Sequence, residues 1–470
     1  MRQFLALVLA LLSGVTIGVV AGYYLTTYLL LPNNSFLSPF IEQAEVVGKP
    51  LQKYSIVNLS QMEFVPSEIT IKKELEKADE YVEYLFTFST MGRQMSGQLT
   101  LPTAFALHPD QTASPNAVII LVRGWAEIET YSSGSGTRPV ARELAKQGYA
   151  TLAPDFFGYG QSDPAPTNEW ETRFVKPVNV IELYKSVQTN GVRDGRLDLP
   201  EHLQITIPAI SHIGFWGHSN GGQVALTVLE VLSQPIPTVL WAPVTASFPY
   251  SILYFGNDLE DEGQEQRAWM AIFEKTYNAL DFSLTQHLDR LTGPIQLHQG
   301  SADTDAPQTW SDRFNDLVKQ ENTRRQETLT STTTGNLMQN SSPTPSRSIT
   351  TDLATDQTPT LAPPITTGSG QDQTQTPTSK SATNPTPGQT KTFASSTTAD
   401  SALGRSQAST SLTVTNPAPS QTNLPSVLPP INLTYYQYPG ANHNLRPMTH
   451  WNTAINRDIK FFKQFLSNQE

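Results

Sequence analysis

The segment from Ile213 to Gly222 reads IGFWGHSNGG and decides the fold. Its first four residues are an apolar run typical of a buried strand, and the apolar pattern over 221–232 predicts a helix. Between them the sequence fits G-x-S-x-G, in which a serine occupies a sharp turn from strand to helix. Close packing at such a turn leaves no room for a Cβ on either side of the serine. We therefore expect Ser219 to be a nucleophile at the N-terminal end of a helix, where N–H groups favour an oxyanion; a glycine-rich turn without chemistry is the alternative.

Strand and helix signals alternate on both sides of this turn. The strands are predicted at 81–88 and 95–101 as a hairpin, then at 117–122, 149–153, 205–216 with an interruption at Pro208, 238–241, 294–298 and 431–438. The helices are predicted at 140–147, 221–232 and 451–466. A strand pattern also starts at Tyr54. Alternation of helices with continuous apolar strands predicts an α/β fold, with a mostly parallel sheet covered by helices on both faces.

A nucleophilic serine needs a base, and the base needs an orienting acid. In this architecture the chain order is serine, then acid, then histidine. Asp303 follows the strand predicted at 294–298, and functional groups lie at the carboxyl ends of parallel strands. We expect Asp303 to be the acid, with its neighbour Asp305 serving the turn or capping a helix.

His443 directly follows the last predicted strand and is the expected base. The other histidines fit this role less well. His287 and His298 precede Asp303, His298 ends a buried strand, and His450 begins the closing helix. His218 lies beside the nucleophile and is more plausible as a structural residue.

The oxyanion hole of this architecture uses two backbone N–H groups. One is expected from Asn220, the residue after the nucleophile. The other is expected from the loop that follows the strand at 117–122, with Trp125 as the chosen donor. The Trp125 ring has two further interpretations, as a wall of the substrate pocket or as core filling.

These motifs resemble the α/β-hydrolase superfamily, and most closely its prolyl oligopeptidase and dienelactone hydrolase-like branch. Five elements match in order: the segment 96–102, the loop at Gly124, the segment 155–162, the turn at Ser219, and the loops of Asp303 and His443. The resemblance covers about 81–320 and 431–470. It implies a Ser219–Asp303–His443 triad and neither a metal nor an organic cofactor. Arg123 stands where the family usually has a histidine, and a long polar tract separates the acid from the base.

That polar tract spans 331–430. Of its 100 residues 40 are Ser or Thr, and only eight are charged. Such a composition buries too little apolar area to offset its ordering entropy, so we expect a disordered insertion. Ser and Thr with Pro are also typical of O-glycosylated stalks.

Composition excludes several classes of protein. The 470-residue chain has no cysteine, which excludes disulfide scaffolds, thiolate metal sites and a cysteine nucleophile. Its net charge of −11 lacks the basic footprint of a nucleic-acid-binding protein.

Residues 4–31 carry no charge, and 28 residues exceed the ~20 needed to cross a bilayer. We expect residues 1–31 to be a retained transmembrane anchor followed by a spacer over 32–53. Arg2 precedes the run, so the N-terminus is expected in the cytoplasm and the remainder outside it. The alternative is a signal peptide cleaved after Ala21, which gives a secreted protein.

The hydrolase domain is expected over 54–330 and 431–470, with a cap inserted at 247–290. The aromatic residues of this segment suit an apolar acyl or aryl ester if they cover Ser219, or else they simply pack on the sheet. The expected function is that of a membrane-anchored extracytoplasmic serine hydrolase acting on a small ester or short peptide. A catalytically silent hydrolase fold serving as a surface or adhesion module is the alternative.

Overall fold

The computed structural model describes residues 48–107, 115, 117–196, 204–258, 261–339 and 428–466. The chain divides into two units, residues 1–334 with 424–470 and residues 335–423, and apart from 335–339 everything described below belongs to the first. The predicted anchor, most of the spacer and most of the predicted insertion lie outside the described residues. Within the described ranges, no helix is both long and apolar enough to cross a membrane.

Eleven strands of the described part form one sheet. Their bounds are β1 Ile69–Lys77, β2 Tyr81–Thr90, β3 Arg93–Pro102, β4 Val118–Val122, β5 Ala150–Pro154, β6 Val192–Asp194, β7 Thr206–Ile207, β8 Ile213–His218, β9 Thr238–Trp241, β10 Pro294–Gly300 and β11 Asn432–Tyr438. Their order across the sheet is β11-β10-β9-β8-β4-β5-β3-β2-β1-β6-β7. The six strands from β11 to β5 run parallel, and β3, β2 and β1 add antiparallel pairs. The mostly parallel sheet and the hairpin of β2 and β3 are thus confirmed.

Helices cover both faces of this sheet. Their bounds are α1 Ile56–Leu59, α2 Thr103–Leu107, α3 Arg138–Lys146, α4 Glu169–Phe174, α5 Lys176–Asn190, α6 Asn220–Leu232, α7 Tyr250–Leu253, α8 Gln264–Thr276, α9 Gln308–Gln339 and α10 Met448–Leu466. Short 3₁₀ turns occupy Gln52–Tyr54, Tyr254–Asp258, Ala279–Phe282, Leu284–Gln286 and Leu288–Arg290. On one face α3 and α10 bury Leu144 and Phe462, and on the other α5 and α6 bury Ile181 and Leu226. The apolar residues of the central strands alternate between these two cores.

The strand predicted from Tyr54 is wrong, because this segment is helical. Ser55 accepts a hydrogen bond from the N–H of Asn58 and caps α1. Ile56 and Leu59 are buried three residues apart, which is the spacing of one helix face. The first strand begins only at Ile69.

The run at 205–216 also differs from the prediction of one interrupted strand. Its first part, Thr206–Ile207, pairs with β6 at the far edge of the sheet. Its second part is β8 in the centre of the sheet, between β4 and β9. Pro208 therefore separates two distant strands rather than bending one.

The boundary of the predicted insertion is shifted as well. Helix α9 extends to Gln339, so residues 331–339 are helical rather than part of a disordered tract. The chain returns beside the same helix. Asn322 exchanges two hydrogen bonds with the backbone of Ile431, and Arg325 donates to the carbonyl of Pro429.

The segment predicted as a cap contains α7, α8 and four 3₁₀ turns. Its aromatic residues pack mainly on one another and on α4. Trp170 stacks on Trp269 with 3.5 Å between ring centroids, and Phe248 and Phe273 complete a buried cluster. Tyr250 remains 69% exposed, so this segment serves chiefly as core with an aromatic edge left open.

Candidate active site

The turn between β8 and α6 holds Ser219 in a strained backbone conformation. Its φ is 56° and its ψ is −124°, outside the regions that residues other than glycine usually adopt. The Ser219 N–H donates to the carbonyl of Trp241 at 2.9 Å, and its own carbonyl accepts from the N–H of Val244 at 3.0 Å. A Cβ added at Gly221 would lie 2.0 Å from the carbonyl oxygen of Val122. The packing of α6 against the end of β4 therefore requires that glycine, as the motif predicts.

Asp303 and His443 meet across the loops that follow β10 and β11. The Nδ1 of His443 lies 3.0 Å from each carboxylate oxygen of Asp303. Gln299 and the backbone N–H groups of Asp305 and Ala306 also donate to this carboxylate, each at 2.9 Å. Burial alone raises the pKa of Asp303, but His443 and these donors outweigh it and hold the pKa below its usual value. A charged Asp303 accepts the Nδ1–H of His443 and leaves Nε2 of the imidazole as a base.

His218 connects this pair to the nucleophile turn. Its Nε2 lies 3.0 Å from the backbone carbonyl of His443, and the two rings are 4.7 Å apart. Burial, followed by the nearby His443, lowers the pKa of His218 to about 4. A neutral His218 donates from Nε2 and anchors the His443 loop beside Ser219, which agrees with its expected structural role.

The loop after β4 lies directly against the nucleophile. A Cβ at Gly124 would stand 2.8 Å from the Cβ of Ser219. Arg123 is only 5% exposed and donates to the carbonyls of Gly124 at 2.9 Å and Asp155 at 2.7 Å. Its guanidinium therefore fixes the loop in which we expect an oxyanion donor.

The two residues expected to supply the oxyanion donors lie at the start of α6 and in the loop after β4. Asn220 is the first residue of α6, so its N–H has no partner within the helix. Trp125 follows Gly124, and its ring is 76% exposed. The interpretation of Trp125 as core filling is therefore wrong.

Asp155 is a site-supporting residue whose role the sequence did not reveal. Its carboxylate accepts hydrogen bonds from Tyr131 and Ser133, each at 2.8 Å, and from Ser96 at 2.5 Å. Burial raises its pKa, and these donors oppose the rise. The segment 155–162 marked this loop as a family motif, but only the fold shows that Asp155 ties together the loops on which Arg123 rests.

His298 is confirmed as a satisfied core histidine. It is fully buried, with Nε2 3.0 Å from Asp458 of α10 and Nδ1 2.6 Å from the Tyr438 hydroxyl. Trp241 donates to the same Asp458 carboxylate at 2.8 Å. This network joins α10 to β9, β10 and β11 and stabilises the strands from which Asp303 and His443 extend.

Comparison with known families matches residues 117–195 to the alpha/beta hydrolase fold. The match contains β4, the Gly124 loop, β5 and the Asp155 loop. Comparison with curated protein sequences gave no match. The sheet order and the strained turn at Ser219 extend the same fold over the rest of the described chain. The described chain has the alpha/beta hydrolase fold, and the resemblance inferred from its motifs is confirmed at the level of the fold.

Several solved structures are similar to the chain. Acetyl xylan esterase 1 from Thermoanaerobacterium sp. JW/SL YS485 is 15% identical with a TM-score of 0.39, over 57% of this chain and 84% of the esterase. Est1E from Butyrivibrio proteoclasticus, with bound ferulic acid, is 16% identical with a TM-score of 0.33, over 49% of this chain and 84% of its own. A puromycin-hydrolyzing peptidase from Mycobacterium tuberculosis is 12% identical with a TM-score of 0.44, over 83% of this chain and 40% of the peptidase.

Proposed function

We propose that the protein is a serine hydrolase that cleaves an ester or amide bond through an acyl-enzyme intermediate. Ser219 is the nucleophile, His443 the base and Asp303 the orienting acid. The observation that carries this proposal is the Asp303–His443 pair, with 3.0 Å from Nδ1 to each carboxylate oxygen, held beside the strained Ser219 turn through His218.

The chemistry follows from these positions. His443 Nε2 takes the Ser219 hydroxyl proton as Oγ attacks the substrate carbonyl, and Asp303 stabilises the imidazolium that forms. The backbone N–H groups of Asn220 and Trp125 stabilise the oxyanion. His443 then gives the proton to the leaving alcohol or amine. A water molecule, activated in turn by His443, attacks the acyl-enzyme and releases the acid and free Ser219.

A small cavity beside Asn220 favours a short acyl group, and so an esterase before a peptidase. Its volume is about 40 Å³. It is lined by Tyr54, Ile56, Arg173, Phe174, Pro177, Asn220, Gln223, Val224, Thr227, Phe248 and Phe282. The apolar members of this set suit an acyl chain of a few carbons, and Phe248 and Phe282 of the cap segment close one side.

Hydrolysis of 4-nitrophenyl acetate and butyrate tests this proposal. The protein should hydrolyse both esters, and Ser219→Ala should lose the activity. Ser211→Ala is the matched control, because this exposed serine precedes the opposite end of β8 and should keep the wild-type rate. Equal rates in Ser219→Ala and wild type would contradict the assignment. A complete lack of hydrolysis by correctly folded wild type would favour the catalytically silent module.

We also propose that the chain is anchored in the membrane with its catalytic domain outside the cytoplasm. The support is the uncharged run over 4–31 with Arg2 before it. Carbonate-washed membranes should retain the full-length chain, and protease added to intact cells should digest its hydrolase domain. A chain lacking residues 2–31 should be recovered in the cytoplasm. Protection of the full-length chain in intact cells would contradict this location, and a mature N-terminus at Gly22 would indicate a secreted form.

A further inference from the structure

Two cations at the junction of α4 and α5 have no carboxylate partner in the described part of the chain. Arg173 is the second-last residue of α4, and Lys176 is the first residue of α5. Both side chains are half-buried. Lys53, by contrast, has a carboxylate partner on α4, because its Nζ lies 3.3 Å from the Glu171 carboxylate. A chain with a net charge of −11 therefore leaves these two cations uncompensated.

Both cations lie beside the candidate active site. Arg173 lines the same cavity as Asn220, the residue after the nucleophile. Lys176 Nζ lies 5.7 Å from the centre of the Phe156 ring, and the Arg123 guanidinium lies 5.5 Å from that same ring. Arg123 precedes Gly124, which packs against Ser219. Arg173 thus lies in the cavity next to the residue that follows Ser219, and Lys176 contacts the ring that Arg123 also contacts.

The surroundings of Arg173 and Lys176 destabilise the positive charge of both side chains. Burial lowers the pKa of Arg173 to about 10. Burial, together with the positive charges of Arg173 and Arg123, lowers the pKa of Lys176 to about 7. The side chains nevertheless keep part of their surface open to water, as expected for groups within a cleft. Cations destabilised in this way beside a nucleophile are typical of a binding site whose ligand supplies the missing charge.

We propose that Arg173 and Lys176 form a subsite for a carboxylate carried by the substrate, so that the enzyme prefers anionic esters over neutral ones. This inference rests on the proposed function. The planar guanidinium of Arg173 suits two parallel hydrogen bonds to a carboxylate, and Lys176 adds a compact positive charge. The buried rings of Phe156, Phe174 and Phe248 lower the local dielectric constant and so strengthen such charge-assisted bonds.

Matched pairs of substrates measure this preference and locate the charge. The first pair is 4-nitrophenyl hemiglutarate against 4-nitrophenyl valerate, which places the carboxylate on the acyl group. The second pair is 4-acetoxybenzoate against its methyl ester, which places it on the leaving group. In at least one of these two pairs, the wild type should hydrolyse the anionic ester with a kcat/KM about tenfold or more above that of the neutral ester. Ratios near one in both pairs would overturn the proposal.

Substitutions assign the preference to the two cations. Arg173→Gln and Lys176→Gln should each reduce the ratio by about tenfold, and Arg173→Lys should retain part of it. Lys72→Gln is the matched control, because this exposed lysine lies on β1, away from the site, and should leave the ratio unchanged. A preference that persists in the Arg173→Gln, Lys176→Gln double variant would also overturn the proposal.

A binding measurement separates failure of this subsite from failure of the catalytic assignment. Monomethyl glutarate should raise the Tm of Ser219→Ala more than methyl butyrate does, and Arg173→Gln in the same background should remove the difference. Charge-selective binding without any turnover would support the subsite and contradict the hydrolase. Turnover without charge selectivity would support the hydrolase and contradict the subsite.

Discussion

At the scale of single residues, Ser219 is held in its backbone conformation by the elements around it. Its φ of 56° costs about 1–3 kcal/mol, and the hydrogen bonds to Trp241 and Val244 keep it there. The Ser219 side chain makes no capping hydrogen bond to α6. Asp303 and His443 are held as firmly, by three donors around the carboxylate and by His218.

Asp303→Asn should lower kcat by about 10³–10⁴-fold while the protein stays folded. An amide at this position can donate to Nδ1 of His443 and so favours the tautomer whose Nε2 is protonated and unable to act as a base. Ester hydrolysis and circular dichroism measure both effects. Asp305→Asn is the matched control and should stay within about twofold of wild type, because the Asp305 side chain is exposed and only its backbone N–H contacts Asp303. A larger loss of kcat in Asp305→Asn than in Asp303→Asn would show that Asp303 is not the orienting acid.

Gly124→Ala should lower kcat by about 100-fold. The new Cβ would lie 2.8 Å from the Cβ of Ser219, so the Ser219 side chain would have to shift. Gly48→Ala is the matched control, since its Cβ would meet nothing within 4 Å. The measurement is kcat for a short aryl ester. An unchanged kcat in Gly124→Ala would show that this loop does not bear on the nucleophile.

The sequence singled out Ser219, Asp303 and His443 as the proposed triad because each belongs to a motif at the end of a strand, and the structure brings Asp303 and His443 into contact. The sequence did not predict that Arg173 and Lys176 would form part of the proposed site. No motif marks them, and they lie more than 40 residues before Ser219. Only the folded chain brings Arg173 into the cavity that Asn220 lines, and Lys176 against the Phe156 ring. Arg123 was visible as a departure from the family, but its two carbonyl partners depend on the folded loop.

At the scale of elements, agreement was best where a strand is buried on both faces. The prediction for β9 coincides with Thr238–Trp241, because an apolar run of this length suits a buried strand and is too short for a typical helix. The prediction of secondary structure was poorest over 54–60, where apolar Tyr54 and Ile56 two residues apart fit the alternating pattern of a strand. The Ser55 cap and the burial of Leu59 make that segment helical instead.

Helix α6 carries a buried acid that destabilises it at neutral pH. Glu230 is fully buried, and neither of its carboxylate oxygens has a hydrogen-bond partner. Burial, and then the nearby Asp289, raises its pKa well above the usual value. The folded protein therefore holds a proton that the unfolded chain releases, so Glu230 weakens folding progressively as pH rises above the ordinary glutamate pKa.

Glu230→Gln should accordingly raise Tm by a few degrees at pH 8, equivalent to about 1 kcal/mol, and should leave Tm nearly unchanged at pH 4. Thermal unfolding at both pH values measures this difference. Glu274→Gln, at an exposed position of α8, is the matched control and should shift Tm at neither pH. A lower Tm of Glu230→Gln at pH 8 would contradict the account of this residue.

At the scale of the whole molecule, the polar tract enters after α9 and returns before β11. Asn322 and Arg325 hold the returning chain at Ile431 and Pro429, beside the helix from which it departs. The composition of the tract was readable from the sequence. Its start was not, because α9 continues through Thr and Ser residues that alone predict no helix.

Replacing residues 331–427, which are the end of α9 and the tract after it, by a Gly/Ser linker of about eight residues should therefore preserve folding and ester hydrolysis. Shortening the loop lowers its closure entropy cost and should stabilise the domain by up to about 2 kcal/mol. Denaturant unfolding and kcat/KM measure both quantities. A chain carrying a scrambled tract of the same length is the control and should match wild type. Failure of the shortened chain to fold would show that the tract contributes contacts to the domain.

Covalent labelling with a fluorophosphonate shows whether Ser219 is the nucleophile. We expect one phosphonylated peptide, the one that contains Ser219, and labelling that is lost in Ser219→Ala and strongly slowed in His443→Ala. Equal labelling of wild type and Ser219→Ala, or an adduct on any other serine, would contradict the assignment of Ser219 as the nucleophile.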